Sequence, residues 1–389
     1  MKKMIKLSLV AAVAVAGLTT NAAAGSLEDA IKDTSISGKA LIGYNVESST
    51  SAAGVKTTDN ETEYDFDLTL TTKVNDTISF TTGFQADHTV DTGAGNTDGF
   101  MMGADSNNTA SNATVDAKDG ITLTKLYFTA KTDVATVMIG KQKQPTPFLD
   151  DERGDGVVAL APVGPVTLAA GHFTGMTSPV QSDITAAAVI GTFGPVNASV
   201  WMLDATAVVD GYSANVNANV GPVKVDFTHS SMDYVVAAGA NTQEATLTKL
   251  VVSAKAGPVN VAAGYGVTND NDDAGQAGRS FGVDLTGDDD AKTNFRLDQI
   301  VLDDYNDASA FLIGASSTFG AVTVGANYLM ATAANFTGTS DLDATELDLT
   351  VAYAMSKNFS VTALYADTDA DVAGTDVVDT KVMRSEERR

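Results

Sequence analysis

Gly-Pro-Val is written four times in this chain, at Gly164, Gly194, Gly221 and Gly257, and Gly-Ala-Val stands in the same place at Gly320. Each opens a stretch of strict alternation. Counting from the glycine, the even positions are apolar, as in Val166, Leu168 and Ala170 or Val223, Val225 and Phe227. The odd positions are polar or small, as in Thr167, Ala169 and Gly171 or Lys224, Asp226 and Thr228. A period of two sustained over seven residues belongs to a strand whose faces meet two different surroundings. Glycine admits positive φ, whereas proline fixes φ and has no N–H to donate to a ladder. The pair therefore suits a tight reversal and is excluded from the middle of a central strand. Because Val216, Ala218 and Val220 alternate with Asn215, Asn217 and Asn219 just before Gly221, each Gly-Pro reads as a hairpin turn between two strands.

Similar tight turns are predicted at 73–77, 131–133 and 356–358. Extended along the chain, the pattern gives about eighteen antiparallel strands, with sixteen as the lower bound, the first over 36–47 and the last over 376–383. One end of the array carries only short turns. The other carries long polar insertions such as 88–120 and 268–307.

A β-sandwich also alternates, so the surroundings must be identified by other means. Strands of about ten residues have the length that crosses a bilayer at a tilt. Short turns at one end and long loops at the other are the asymmetry of an outer-membrane barrel. Position eight after the glycine is His172, Met202, His229, Tyr265 or Tyr328, and Phe193 and Phe319 immediately precede two of the glycines. Six residues at about 3.3 Å each separate positions two and eight, roughly 20 Å, close to the height of an apolar band between aromatic girdles. The class expected is an all-β transmembrane barrel, closed because lipid cannot satisfy an open sheet edge. At sixteen to eighteen strands it is wide enough for a water-filled channel. Inward positions such as Glu63, Asp65, Asp67 and Thr69, or Glu346, Asp348 and Thr350, suit a wet lumen.

The N-terminus supplies a compartment. "MKKMIK", an apolar run too short to span a bilayer, and "NAAAG" read as a secretory signal over residues 1–24, against the alternative of an uncleaved anchor. A short periplasmic segment, 25–35, then precedes a barrel over 36–389. Removing Lys2, Lys3 and Lys6 takes the formal charge from −25 to −28. A chain this acidic repels nucleic acid and attracts cations. It contains no cysteine, which excludes disulfides, thiolate nucleophiles and iron–sulfur ligation.

"SLEDAIKDTSISG" after the signal, the Gly-Pro hairpins and "IGKQKQPTPFLDDERGDG" together resemble the Campylobacter-type major outer membrane porins. The resemblance implies a bacterial outer-membrane diffusion porin of eighteen strands, a homotrimer among lipid and lipopolysaccharide, that passes small hydrophilic solutes and ions. It also implies that the third external loop, residues 143–156, folds inward. Read alone, that loop with Asp150, Asp151, Glu152, Arg153 and Asp155 is a solvated surface loop. With the resemblance, its carboxylates face the inward-register bases Lys125, Lys131, Lys224, Lys249 and Lys255 across a constriction. Opposed charges there set a transverse field, and the net acidity favours cations. One departure is the end of the chain, "KVMRSEERR", which has no terminal aromatic residue; arginines 384, 388 and 389 would cost about 2–4 kcal/mol each facing lipid near midplane.

Other signals carry less. "TNDNDDAGQAG" (268–278) and "GDDDAK" (287–292) are acidic enough for calcium but lack the spaced-oxygen pattern of a ligand loop, so they read as solvated; calcium is the one cofactor they leave open. His172 and His229 fall on the lipid register without a carboxylate at ligand spacing, and His88 sits at a loop base. Ser230 and His229, adjacent in "THSS", point to opposite faces, which argues against a hydrolase. "RGD" at 153–155 is a three-residue match of the sort that arises by chance. A passive channel is the leading function; an adhesin or structural envelope protein anchored by its barrel is the alternative.

Overall fold

The computed structural model describes residues 34–50, 54–91, 121–149, 152–174, 182–235, 242–269, 283, 291–334, 341–372 and 376–388. Six strands open the chain: β1 (Thr34–Thr50), β2 (Lys56–Lys73), β3 (Ile78–Asp91), β4 (Thr122–Lys131), β5 (Thr136–Lys143) and β6 (Arg153–Val163). Then come β7 (Val166–Thr174), β8 (Ile184–Phe193), β9 (Val196–Ala205), β10 (Val209–Val220), β11 (Val223–Val235) and β12 (Thr242–Ala256). The last six are β13 (Val259–Thr268), β14 (Ala308–Phe319), β15 (Val322–Ala333), β16 (Leu342–Ser356), β17 (Phe359–Val372) and β18 (Asp376–Arg388). Each pairs antiparallel with its neighbours in sequence, and β1 pairs with both β2 and β18, so the 18-stranded sheet is a closed barrel.

The repeated glycines are the turns expected of them. Gly164, Gly194, Gly221, Gly257 and Gly320 all have φ between 61° and 64°. They join directly paired residues: Val163 with Val166, Phe193 with Val196, Val220 with Val223, Ala256 with Val259 and Phe319 with Val322. Glycine at the first central position of a two-residue loop is the type II′ requirement, and its twist matches that of the strands it joins. A Cβ at any of the five would meet nothing within 4 Å, so the demand is conformational and not one of space. At the 74–77 turn the Asn75 side chain accepts from the N–H groups of Thr77 and Ile78 at 2.9 and 2.8 Å. Lys73 donates to Asp76 at 2.8 Å and holds that carboxyl below its ordinary range.

The two faces separate as the alternation predicts. Leu168, Val200, Phe227, Val261 and Ile313 are exposed on the outside, while the neighbouring Ala169 and Thr228 are buried within the barrel. His172 and His229 lie on the outer register. His172 shares a hydrogen bond with Thr185 at 2.9 Å, and His229 shares bonds with Thr248 at 2.7 Å and Tyr212 at 3.2 Å. Ser230, facing the lumen, donates to Ser213 at 2.9 Å, so the two neighbours are indeed on opposite sides. His88 belongs to β3, where its backbone pairs with Tyr64.

Two boundaries are corrected. β1 begins at Thr34 rather than Ile36, and β18 does not stop near Met383 but runs on to Arg388. Its last residues pair with β1, as Arg384 with Tyr44 and Arg388 with Ala40, and with β17, as Arg388 with Phe359. An end at Met383 would leave the backbone of Ala40–Tyr44 and Phe359–Ala363 unpaired along the seam, where lipid offers no partner.

The apolar core lies inside the barrel, at the loop end. Inward residues of β8, β9 and β11, among them Ile184, Leu203 and Met232, cluster with Leu247, Leu329 and Leu342 of later strands. Phe148 and Leu149 of the β5–β6 loop, and Phe295, Ile300 and Leu302 of the β13–β14 connection, complete it. Two connections thus fold into the lumen. Replacing outward Val200 by Arg should destabilise the barrel by about 2–4 kcal/mol, whereas Ser253→Lys, on the lumen side, should change stability little. Urea midpoints of the refolded barrels in vesicles check this, and equal losses would mean the faces are inverted.

Candidate functional site: a recess between inserted loops and the lumen wall

The β5–β6 loop is drawn inward by its own composition. Phe148 and Leu149 would be an apolar patch in water, whereas the inner wall of β8–β12 offers an apolar socket at that height, and both are buried there. The loop is pinched at its base by Gln144 N–H donating to Glu152 C=O at 3.0 Å. Pro145 and Thr146 line a small gap together with Val158, Ala169, Phe173 and Trp201 of the wall.

The β13–β14 connection makes a compact hook. Leu302 N–H donates to Phe295 C=O at 3.0 Å and Leu297 N–H to Ile300 C=O at 3.1 Å, and a 3₁₀ turn follows at Leu302–Asp304. The hook is seated on β13 by glycine: a Cβ on Gly264 would come within 2.9 Å of the Phe295 ring, and one on Gly266 within 2.8 Å of Leu302. Its tip is held by Glu346 of β16, whose Oε1 accepts from Gln299 N–H at 2.8 Å and Oε2 from Ile300 N–H at 2.7 Å. Glu346 is fully buried and Asp348 nearly so. Alternation predicts a wet lumen around these two carboxylates; they lie instead beneath the hook. Charge-assisted bonds from two backbone amides offset the desolvation of Glu346.

Between the inserted loops and the wall of β9–β12 is a cavity of about 880 Å³. Its wall carries Ser199 and Trp201 of β9, Asn215 of β10, Lys224, Asp226 and Thr228 of β11, and Lys249 of β12. Lys143, Pro145 and Leu149 close it on the β5–β6 side, and Lys292 on the hook side. Lys249 Nζ donates to Lys292 C=O at 2.7 Å and also to Asn294 C=O, tying the wall to the hook. Asp226 accepts from Asn215 Nδ2 at 2.8 Å, and Lys224 Nζ stands 3.5 Å from its other oxygen.

Of the residues expected at a constriction, Lys224 and Lys249 line this cavity. Asp150 and Asp151 lie outside the described residues. Glu152 closes the loop base through its carbonyl. Arg153 and Asp155 belong to β6, and the Arg153 guanidinium donates to Gln85 Oε1 of β3 at 2.8 Å, reaching past two intervening strands. Lys125 also points inward, passing over Gly83 to donate to Thr69 Oγ1 at 3.1 Å. Lys131 and Lys255 are not at this height: each sits beside a tight turn, at the far end of its strand from the inserted loops. Sequence reasoning missed Lys143, Lys292, Trp201 and the hook itself. The small inner-face residues of β13, Gly264 and Gly266, were the available sign that something approaches that wall. The acidic stretches considered for calcium fall almost wholly outside the described residues, and among the described residues no group of three acidic or histidine side chains is placed to hold a metal.

Residues 1–192 match the family described as the Campylobacter major outer membrane protein. That match takes in 192 of the 389 residues and supports this family. No curated protein matches the sequence. Among solved structures, OpdL of Pseudomonas aeruginosa superimposes with a TM-score of 0.70 at 11% identity, covering 92% of this chain and 99% of that one. A BenF-like porin from Pseudomonas fluorescens Pf-5 gives 0.69 at 14%, covering 91% and 98%. OccAB1 of Acinetobacter baumannii gives 0.66 at 15%, covering 90% and 96%. These likenesses establish the shared barrel fold, and the family match supports an outer-membrane porin.

Glu346→Ala should free the hook, because two buried N–H groups lose their acceptor at about 1–3 kcal/mol each. Trypsin should then cut at Arg296 in the intact barrel, and single-channel current should become noisier. Protection equal to that of the unaltered protein would show that apolar packing alone holds the hook.

Proposed function

We propose that this porin is a water-filled diffusion channel for small hydrophilic solutes and ions, with the route passing the cavity between the inserted loops and the β9–β12 wall. That cavity is the observation that carries the reading: a barrel serving only as an anchor has no use for a polar recess of about 880 Å³ lined by charged side chains at the level of its inserted loops. The folding of the β5–β6 loop onto the inner wall supports its role as the element that narrows the lumen. Inserted loops reduce the opening, and the charges left facing it act where a solute is partly stripped of water.

A preference for cations goes with this reading and rests on the formal charge of −25, which raises the concentration of small cations throughout the lumen and its mouths. Incorporation into planar bilayers should give stepwise conductance. In a tenfold KCl gradient the reversal potential should have the sign of a K⁺-preferring pore. A chloride-preferring sign would overturn the cation preference alone, and absence of current would favour the anchor reading, in which external loops do the work.

A further inference from the structure

We infer that the recess beside Trp201 is a binding subsite for neutral polyhydroxylated rings, a pyranose or a cyclitol, selected by donors and acceptors set side by side. The inference rests on the reading of the lumen as a solute path. Trp201 is the only tryptophan in the chain, and alternation places it on the inner face of β9, half-buried at the cavity. On the outer face an indole would anchor the barrel at the membrane interface. Here part of it packs against the buried cluster of the inserted loops, and the rest is apolar surface at the cavity edge. Beside it the wall is hydroxyl and amide. Ser199 lies two residues before Trp201 on the same face, and its row continues through directly paired Asn215 of β10 and Thr228 of β11. Ser253 of β12 pairs with Lys224. All of these line the cavity.

A chain of hydrogen bonds that runs one way holds these groups. Thr192 donates to Asn197 Oδ1 at 2.8 Å, Asn197 to Asn217 at 3.1 Å, Asn217 to Asn215 at 3.1 Å and Asn215 to Asp226 Oδ1 at 2.8 Å. Each amide is thereby fixed in orientation before a solute arrives, and bonds so aligned strengthen one another. The chain ends at the recess on Asp226, whose other oxygen stands 3.5 Å from Lys224 Nζ. A carboxylate only accepts and an ammonium only donates. Side by side they answer neighbouring hydroxyls of a ring, one donating to Asp226 and the next accepting from Lys224. Ser199 and Ser253 add hydroxyls able to do either, and neither has a hydrogen-bond partner among the described residues. A cation would use only the acceptors and an anion only the donors, whereas a neutral polyol uses both. The net charge around the recess, to which residues beyond this wall contribute, therefore does not decide the outcome. A pyranose also has a C–H face that the apolar surface of Trp201, Val251 and Leu149 can cover. Affinity should be weak, since a subsite on a diffusion path must release what it holds.

With a single tryptophan, indole fluorescence reports this recess alone. Detergent-solubilised full-length protein would be titrated with methyl β-D-glucopyranoside, and with triethylene glycol as an uncharged solute that has no ring. The glucoside should change the emission saturably, and triethylene glycol should not. A tenfold rise in KCl should leave the half-saturating concentration within about twofold, because the ligand carries no charge. Asp226→Asn keeps an acceptor for Asn215 but loses the charge, and should raise half-saturation about tenfold; Ser199→Ala should raise it about fivefold. Heat-modifiable migration confirms the folded barrel, and Ser199→Ala, which removes no internal bond, carries the test should Asp226→Asn fail to fold. The same response to both solutes, a half-saturation that follows the salt, or values unchanged in the folded variants would overturn the subsite. Because no current is measured, a barrel that fails to conduct can still bind the glucoside, and a conducting barrel without the saturable change loses the subsite but stays a channel.

Discussion

The structure depends on one demand: within lipid no backbone N–H or C=O can be left to water, so every strand needs a partner on both sides. The seam where β1 meets β18 is where that demand is hardest to meet, because the two strands come from opposite ends of the chain. Eleven residue pairs close it, from Ala40 with Arg388 to Thr50 with Val378. Once closed, the sheet has no edge, and an exterior of Leu168, Val200, Phe227 and Ile313 becomes an asset in lipid where it would drive aggregation in water. The turns follow from the same demand. Strands that must pair to their last residue need the shortest reversals, and those need glycine at positive φ.

Closure leaves a lumen too wide for side chains to fill, and the chain fills part of it with its own loops. The inner wall is therefore of two kinds. Toward the loops it is apolar, with Ile184, Leu203, Met232 and Leu247 receiving Phe148, Leu149, Phe295 and Leu302. Toward the turns it is polar, as with Asn197 donating to Asn217 at 3.1 Å and Asn215 bonded to Asp226 and Thr228. Apolar contact is non-directional and would let the hook slide. Glu346 supplies direction, since its two oxygens meet two successive amides in only one register. The cavity sits where the apolar packing ends and the polar wall begins.

The fold is legible because the period of two is written without interruption and the glycines mark where it reverses. Parity identifies the face of a residue, and it does so correctly for Lys125, Lys224, Lys249, His229 and Ser230. Height along the barrel axis depends on tilt and stagger, which alternation does not encode. Lys131 and Lys255 share the inner face with Lys249 but sit at the turns for that reason. The hook is hidden because a connection between β13 and β14 with many charged residues looks like any solvated loop, and Phe295, Ile300 and Leu302 within it carry no periodicity. Parity puts Glu346 and Asp348 on the correct face but says nothing of their surroundings, since a lumen assumed empty makes every inward carboxylate look wet.

Net charge describes a protein from afar, and a lumen is read at close range. Screening at physiological salt extends about 8 Å, less than the width of a barrel of this size, so opposite walls act on a solute separately. Near β1–β3, Lys39 stands 3.5 Å from Asp65, and those three strands carry eight acidic residues to three lysines. Beside Trp201 the described residues of the recess include four lysines and one aspartate. An excess of acid over the whole path acts on the mean concentration of small ions, while the side chains within a few ångströms of a solute set what it meets at the recess. Selectivity among small ions and passage of a larger solute can therefore differ in one channel, because the first sums over the lumen and the second depends on the few side chains in contact.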